Sequence, residues 1–238
     1  MVTASYEVSK RLLRDFNELS FLKASRNVAE FTARTLERTF GDFQEILEKS
    51  NFGTGFVFDG KIIKKSENGC FWLINGVDNI QNFTHRLPIF GSAIALVENY
   101  DPADVRFENS AILAATFHDP TRGESFWAEK DSGTFCNSRI LRISRVPEVK
   151  LVGSSGSFAG ASLKGVTVRN FGSSVLNLAY LAANKLDAFF GEIENPINFA
   201  CGKLILLESG GTIKFTGEKS FVAASDVAFT VLEKTRIL

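Results

Sequence analysis

Apolar residues recur at helical spacing over the first fifty positions, first as Val8, Leu12, Leu13, Phe16 and Leu19. After a break near Ala24-Ser25 the spacing returns in Phe31, Leu36, Phe40, Phe43, Ile46 and Leu47, so the chain is expected to open with two helices. The pattern then changes to strand-like alternation from Phe52 to Ile63, with a turn at Asp59-Gly60. Further strands are expected at Cys70 to Ile74, Ile89 to Val97, Ala111 to Phe117 and Glu124 to Glu129, with a short pair between Gly133 and Ile143.

A linker-like Arg145-Val146-Pro147-Glu148 precedes a second half that mixes both periods. Strands are expected at Leu151 to Ser155, Val166 to Arg169, Lys185 to Phe190, Thr212 to Phe215 and Ser220 to Ala224. Helices are expected at Ser174 to Asn184, at Asn198 to Ser209 with a stop at Gly210-Gly211, and at Val227 to Lys234. Blocks of helix and strand in this order predict a layered α/β sandwich. We read residues 1–238 as one unit made of an N-terminal half, 1–146, and a C-terminal half, 151–238.

Composition narrows the classes. Lys+Arg and Asp+Glu both number 27, so the net charge is zero and gives no sign of a basic nucleic-acid surface or an acidic tail. Apolar residues make up 45% and charged ones 23%, as in ordinary globular chains. The longest apolar runs, such as Ile89 to Val97, contain Gly and Ser and are too short for a membrane span. No apolar leader precedes a small-residue cleavage site, so the expectation is a cytoplasmic protein with no membrane partner. Cys70, Cys136 and Cys201 are far apart, which argues against a zinc site or a disulfide framework.

The chemistry-bearing segment is Trp72-Leu73-Ile74-Asn75-Gly76-Val77-Asp78-Asn79-Ile80-Gln81-Asn82-Phe83. It resembles the W-x-I-D-P-I-D-G-T-x-N-F signature of the inositol monophosphatase family. Further anchors follow in order: His85-Arg86-Leu87-Pro88, Asp119-Pro120 with Glu124, Gly133 to Asn137, Arg169 to Ser174, Leu186-Asp187, Pro196 to Gly202 and Glu208 to Gly211. Many ordered anchors carry more weight than any single motif.

The resemblance implies a five-layer α/β/α/β/α sandwich like that of the inositol monophosphatases and fructose-1,6-bisphosphatases, usually a homodimer. It also implies a Mg²⁺-dependent phosphatase site, and here this sequence departs from the pattern. The two signature Asp fall on Asn75 and Asp78, the ligating backbone carbonyl on Val77 and the signature Thr on Ile80. An upstream Glu-Glu pair falls on Phe58-Asp59, and the metal-binding Asp of the later motif on Asn198. The last Asp of an earlier family segment falls on Thr35 or Leu36. Only Asp78 and Asp59 stay acidic at those positions, against the four positive charges of a Mg²⁺ pair.

Backbone N–H groups at Asn79 and Ile80 are implied phosphate donors, and Glu192 falls near a substrate-contacting Glu. His85 and His118, the two histidines, are read as structural. The expectation is a catalytically silent or impaired member with no cofactor, acting as a binding or regulatory protein. Resemblance to the bacterial extragenic-suppressor branch implies a partner in the transcription machinery. The alternative is an active Mg²⁺-dependent phosphatase acting on a small inositol or sugar phosphate.

Overall fold

A computed structural model describes residues 1–21, 25–49, 53–156 and 165–234. Ala24 and Phe52, which bound two of the expected segments, lie outside these residues. The first helix, α1 (Val2–Glu18), buries Ala4, Ser5, Val8, Ser9, Leu12 and Asp15, a stripe three or four residues apart. A 3₁₀ turn, Leu19–Phe21, follows, and then α2 (Ser25–Glu48).

These helices cover one face of an eight-stranded sheet. Its strands are β1 (Gly55–Phe58), β2 (Lys61–Lys64), β3 (Cys70–Asp78), β4 (Gly91–Glu98), β5 (Ala111–Asp119), β6 (Glu124–Glu129), β7 (Gly133–Cys136) and β8 (Arg139–Leu141), in the order β2-β1-β3-β4-β5-β6-β7-β8. β1 runs parallel to β3 and every other pair is antiparallel. The expected Asp59-Gly60 turn joins β1 to β2; both residues have positive φ, 47° and 75°, the requirement of a tight two-residue hairpin.

The second sheet holds β9 (Leu151–Ser154), β10 (Thr167–Arg169), β11 (Ala188–Glu192), β12 (Thr212–Phe215) and β13 (Ser220–Ala224), in the order β10-β9-β11-β13-β12. Between the sheets lie α4 (Ser174–Ala182) and α5 (Pro196–Glu208), preceded in the chain by the one-turn helix α3 (Ile80–Thr84). Every residue of α4 is buried, and most of α5 is, because each faces apolar neighbours on both sides. The two helices touch at Gly202, where an added Cβ would stand 2.5 Å from Leu178 Cδ1. On the outer face of the second sheet, α6 (Asp226–Lys234) buries Ala228, Phe229 and Leu232 against Val152, Ala188, Phe190 and Val222. The layers are therefore α/β/α/β/α, as the family resemblance implies.

Several expected boundaries move by two residues or more, among them the start of β4 (Gly91, not Ile89), the end of β5 (Asp119, not Phe117) and the end of α4 (Ala182, not Asn184). Three have a clear local reason. β3 continues past Ile74 to Asp78, because Gly76-Val77 forms a bulge and does not end the strand: Asn75 pairs with Ala93, and Asp78 with Gly91. β11 starts at Ala188, later than Lys185, because Asn184 closes α4 with φ 59° and residues 185–187 form the connection. α5 starts at Pro196, ahead of Asn198. Asn195 caps it, accepting from the N–H groups of Ile197 (2.9 Å) and Asn198 (3.2 Å), and Pro fits the first helical turn.

Candidate functional site

The bulge in β3 positions the site. In a regular strand, residues three apart point to opposite faces. The extra residue at Gly76-Val77 lets Asn75 and Asp78 both reach the start of α5. Asn75 Nδ2 donates to Asn198 Oδ1 at 2.8 Å, and Asn198 Nδ2 donates to Asp78 Oδ1 at 2.5 Å. The other oxygen of Asp78, Oδ2, accepts from Ser173 Oγ, and the backbone N–H of Asn79 also donates to this carboxylate. Ser173 in turn caps α4, accepting from the Leu176 N–H at 3.0 Å.

Asp78 is 2% exposed. Burial pushes its carboxyl up to about 6; the hydrogen bonds from Ser173, Asn198 and the Asn79 N–H pull the other way, and the nearby Glu194 carboxylate adds a small upward push.

These groups form one wall of a cleft of about 570 Å³. Asn75, Val77, Asp78, Asn79, Ile80, Asn198, Phe58 and Asp59 all line it, so the structure brings together eight of the nine positions singled out in the sequence. Glu192 is not among the lining residues. It accepts from Ser220 Oγ at 3.2 Å and packs against Gly156, and Glu194, two residues on, contributes the carboxylate to the cleft instead. The Asn79 N–H, an expected phosphate donor, is directed at Asp78. Asn79 itself is left-handed (φ 59°) and is tied to the far side of the cleft by its amide, which donates to the Phe171 carbonyl at 2.9 Å.

Apolar side chains line the cleft as well. The Phe58 ring lies 4.5 Å from that of Phe40, and Leu36, Val77 and Ile80 complete the surface. Leu36 lines the cleft, whereas Thr35 is buried and donates to Asp15 Oδ2 at 3.2 Å. Of the two candidates for the earlier acidic position, Leu36 is thus the one at the site. Neither histidine lines the cleft: His85 is the exposed C-cap of α3, and His118 is buried with Nδ1 2.6 Å from Ser125 Oγ. Among the described residues no group of three or more His, Cys, Asp or Glu is disposed to hold a metal ion.

Eight lining residues were not singled out as site residues from the sequence: Gln81, Asn82, Ser155, Gly156, Asn170, Gly172, Glu194 and Asn195. The Asn195-Pro196 pair carried a readable signal, since Asn before Pro marks a helix start. Ser173 belonged to a family-like anchor but was not given a role there.

The inositol monophosphatase family profile matches residues 17–236. The chain belongs to the inositol monophosphatase family. The inositol-1-monophosphatase of Caulobacter vibrioides is 28% identical over 263 aligned positions that span 99% of this chain and 99% of the relative. The Nus factor SuhB of Pseudomonas aeruginosa is 32% identical over 184 positions, 69% of this chain and 64% of the relative. In three dimensions the chain is similar to the extragenic suppressor protein suhB of Bartonella henselae, with a TM-score of 0.80 at 24% identity over 100% of this chain and 98% of that one. The family's enzymes are Mg²⁺-dependent phosphatases.

Proposed function

We propose that this chain is a catalytically silent member of its family and acts as a binding or regulatory protein. The observation that carries the reading is the chain of hydrogen bonds Asn75–Asn198–Asp78–Ser173. It runs through the positions where the resemblance puts carboxylate ligands, and it uses both oxygens of the one buried acid there. Phe58 adds an aromatic ring where a ligand Glu would stand, and Ile80 a hydrocarbon where a Thr would orient water.

A Mg²⁺ pair seeks oxygen donors that carry charge. Two neutral amides, one phenyl ring, the Asp59 carboxylate and one carboxylate already hydrogen-bonded on both oxygens do not fit that demand. Without the metals, nothing here generates a hydroxide at neutral pH or stabilises the leaving alkoxide. Neither histidine lines the cleft, so neither is placed there to serve as a base.

Relatives named Nus factor SuhB support a protein partner in the transcription machinery. A homodimer and a cytoplasmic location belong to the same reading. A second reading, an active phosphatase on inositol or sugar monophosphates, is favoured by end-to-end similarity to proteins named inositol-1-monophosphatase. Phosphate release from inositol monophosphate, measured across a Mg²⁺ titration, separates the two. The silent reading expects no release above background, and turnover of about 1 s⁻¹ or more, a typical enzymatic rate, overturns it.

A further inference from the structure

The face of the first sheet that α1 covers is polar where a helix–sheet seam is ordinarily apolar. In β5, Thr116 and His118 are two apart and so point the same way, and the strand pairing puts Ser92 of β4 and Ser125 of β6 in line with His118. Tyr6 of α1 meets the His118 ring in a T-shaped contact at 6.2 Å, so this is the face beneath the helix. The stripe that α1 lays on it mixes apolar and hydroxyl side chains: Ala4, Ser5, Val8, Ser9 and Leu12.

Ser5, Ser92 and Thr116 are each 0% exposed, and their hydroxyls have no hydrogen-bond partner. Buried hydroxyls left in this way cost free energy, so α1 is held to the sheet less firmly than its burial suggests. Its firmer ties run sideways to α2: Arg11 to Asp42 at 2.6 Å, and Asp15 to Thr35 at 3.2 Å and to Arg38.

His118 is the titratable group in the seam. It is 3% exposed, its Nδ1 stands 2.6 Å from Ser125 Oγ, and among the described residues no carboxylate pairs with it. Asp119, the next residue, favours the charged ring, but its carboxylate is taken up by Thr121 and Arg122. Burial is the larger influence and pushes the imidazole down, so the neutral ring is the form that fits. The other charged groups around it are engaged elsewhere or lie apart. Glu7 of α1 pairs with Lys10, which stands over the Tyr6 ring; Glu124 of β6 accepts from Lys185; and Glu98, the titratable residue of β4, is at that strand's far end. The Met1 amine at the start of α1 is also pushed down by burial.

We infer that α1 is a pH-sensitive latch, docked on the sheet while His118 is neutral and released when the imidazole takes up a proton. The sign follows from linkage. Undocked, the ring has its ordinary value of 6.5 and binds the proton more tightly than when docked, so docking is at full strength above that pH and weakens as the pH falls below it. Release lets water reach Ser92, Thr116 and His118, and it loosens α2, whose Leu36 lines the cleft. The latch works in the same way whether or not the cleft is catalytically silent.

The test is amide hydrogen exchange of the full chain at about pH 7.5 and pH 5.5, corrected for the intrinsic pH dependence of exchange. Protection of the α1 amides should fall about five- to tenfold between the two. Protection of α5 should not fall, because Asp78 moves global stability the other way. His118→Asn keeps a polar atom near Ser125 Oγ and has no proton to gain; its α1 protection should stay level, which excludes the Met1 amine as the cause. Ser5→Ala with Thr116→Val removes two unsatisfied hydroxyls and should raise α1 protection at both pH values while leaving the pH dependence in place. In the native chain the imidazole is also read directly by NMR, where His85 is the one other histidine, and the His118 midpoint should coincide with the loss of α1 protection. The inference is overturned if α1 protection does not change with pH, if the His118→Asn chain loses it as steeply, if the loss spreads evenly over the chain, or if the imidazole titrates away from the α1 midpoint.

Discussion

Asn198 Nδ2 stands 2.5 Å from Asp78 Oδ1, and that contact fixes the direction of the Asn198 and Asn75 amides. An ionised carboxylate only accepts, so Asn198 must turn its NH₂ toward Asp78 and its carbonyl toward Asn75, which must then donate. Residues 120 positions apart are in this way locked into one polarity. The predictions below concern what holds that lock and what would open it.

Asp78 makes stability depend on pH. Its folded-state value of about 6 lies above the ordinary 3.8, so the folded chain holds this proton more tightly than the unfolded one. The resulting stabilisation is fully present below about pH 4 and is lost as pH rises through 6. Two units correspond to about 3 kcal/mol. Asp78→Asn removes the titration, so its urea midpoint should gain on that of the native chain between pH 4.5 and 7.5. A difference between the two proteins that stays constant over this range would refute the assignment.

Ser173 does two jobs with one oxygen, capping α4 and donating to Asp78. Ser173→Ala should cost about 1–3 kcal/mol, the sum of a lost cap and a lost donor to a buried charge. The loss should be larger at pH 7.5 than at pH 4.5, because only the ionised carboxylate needs both donors. Equal losses at the two pH values would mean that the cap alone matters.

Gly172 sits beside the site with φ 72°, and an added Cβ would stand 2.7 Å from Asn79 Nδ2. Gly172→Ala should therefore cost about 1–2 kcal/mol in backbone strain. It should also displace the Asn79 amide from the Phe171 carbonyl that it reaches at 2.9 Å. Faster exchange at the amides of α3, measured by hydrogen exchange, reports that second effect. An unchanged α3 with lowered global stability would confine the role of Gly172 to the turn.

The layer order and nearly every element were legible in the sequence, because both rest on hydrophobic period and on ordered anchors. Several boundaries were not, and three of them each yield to one residue: the bulge at Gly76, the left-handed Asn184 and the capping Asn195. A glycine within a strand pattern reads equally as an end or a bulge, and only pairing with Ala93 and Gly91 decides. The identities at the site, Asn75, Ile80, Asn198 and Phe58, could be read from spacing along the motifs. Their joining into one hydrogen-bonded chain could not, since it depends on α5 being brought against β3. Nor could the choice of Glu194 over Glu192, because the loop between β11 and α5 sets which carboxylate faces the cleft.

Restoring ligands tests whether the site has lost only its donors. Asn75→Asp, Ile80→Thr, Asn198→Asp and Phe58→Glu together supply the acidic set that the resemblance implies. The structure adds a cost: an Asp at 198 would face Asp78 where the amide now sits at 2.5 Å, and two carboxylates that close cannot both ionise cheaply. Without metal, the fourfold variant should be less stable than the native chain at pH 7.5, and less so at pH 4.5. Added Mg²⁺ should raise its melting temperature, since a ligand that binds only the folded state stabilises it, and should leave the native chain unmoved. Single substitutions should show little response, because ligands that act as a unit are strongly non-additive. A native chain whose melting temperature climbs with Mg²⁺ as steeply as the variant's would mean that the amides already hold a metal, and the silent-site reading would fall with that result.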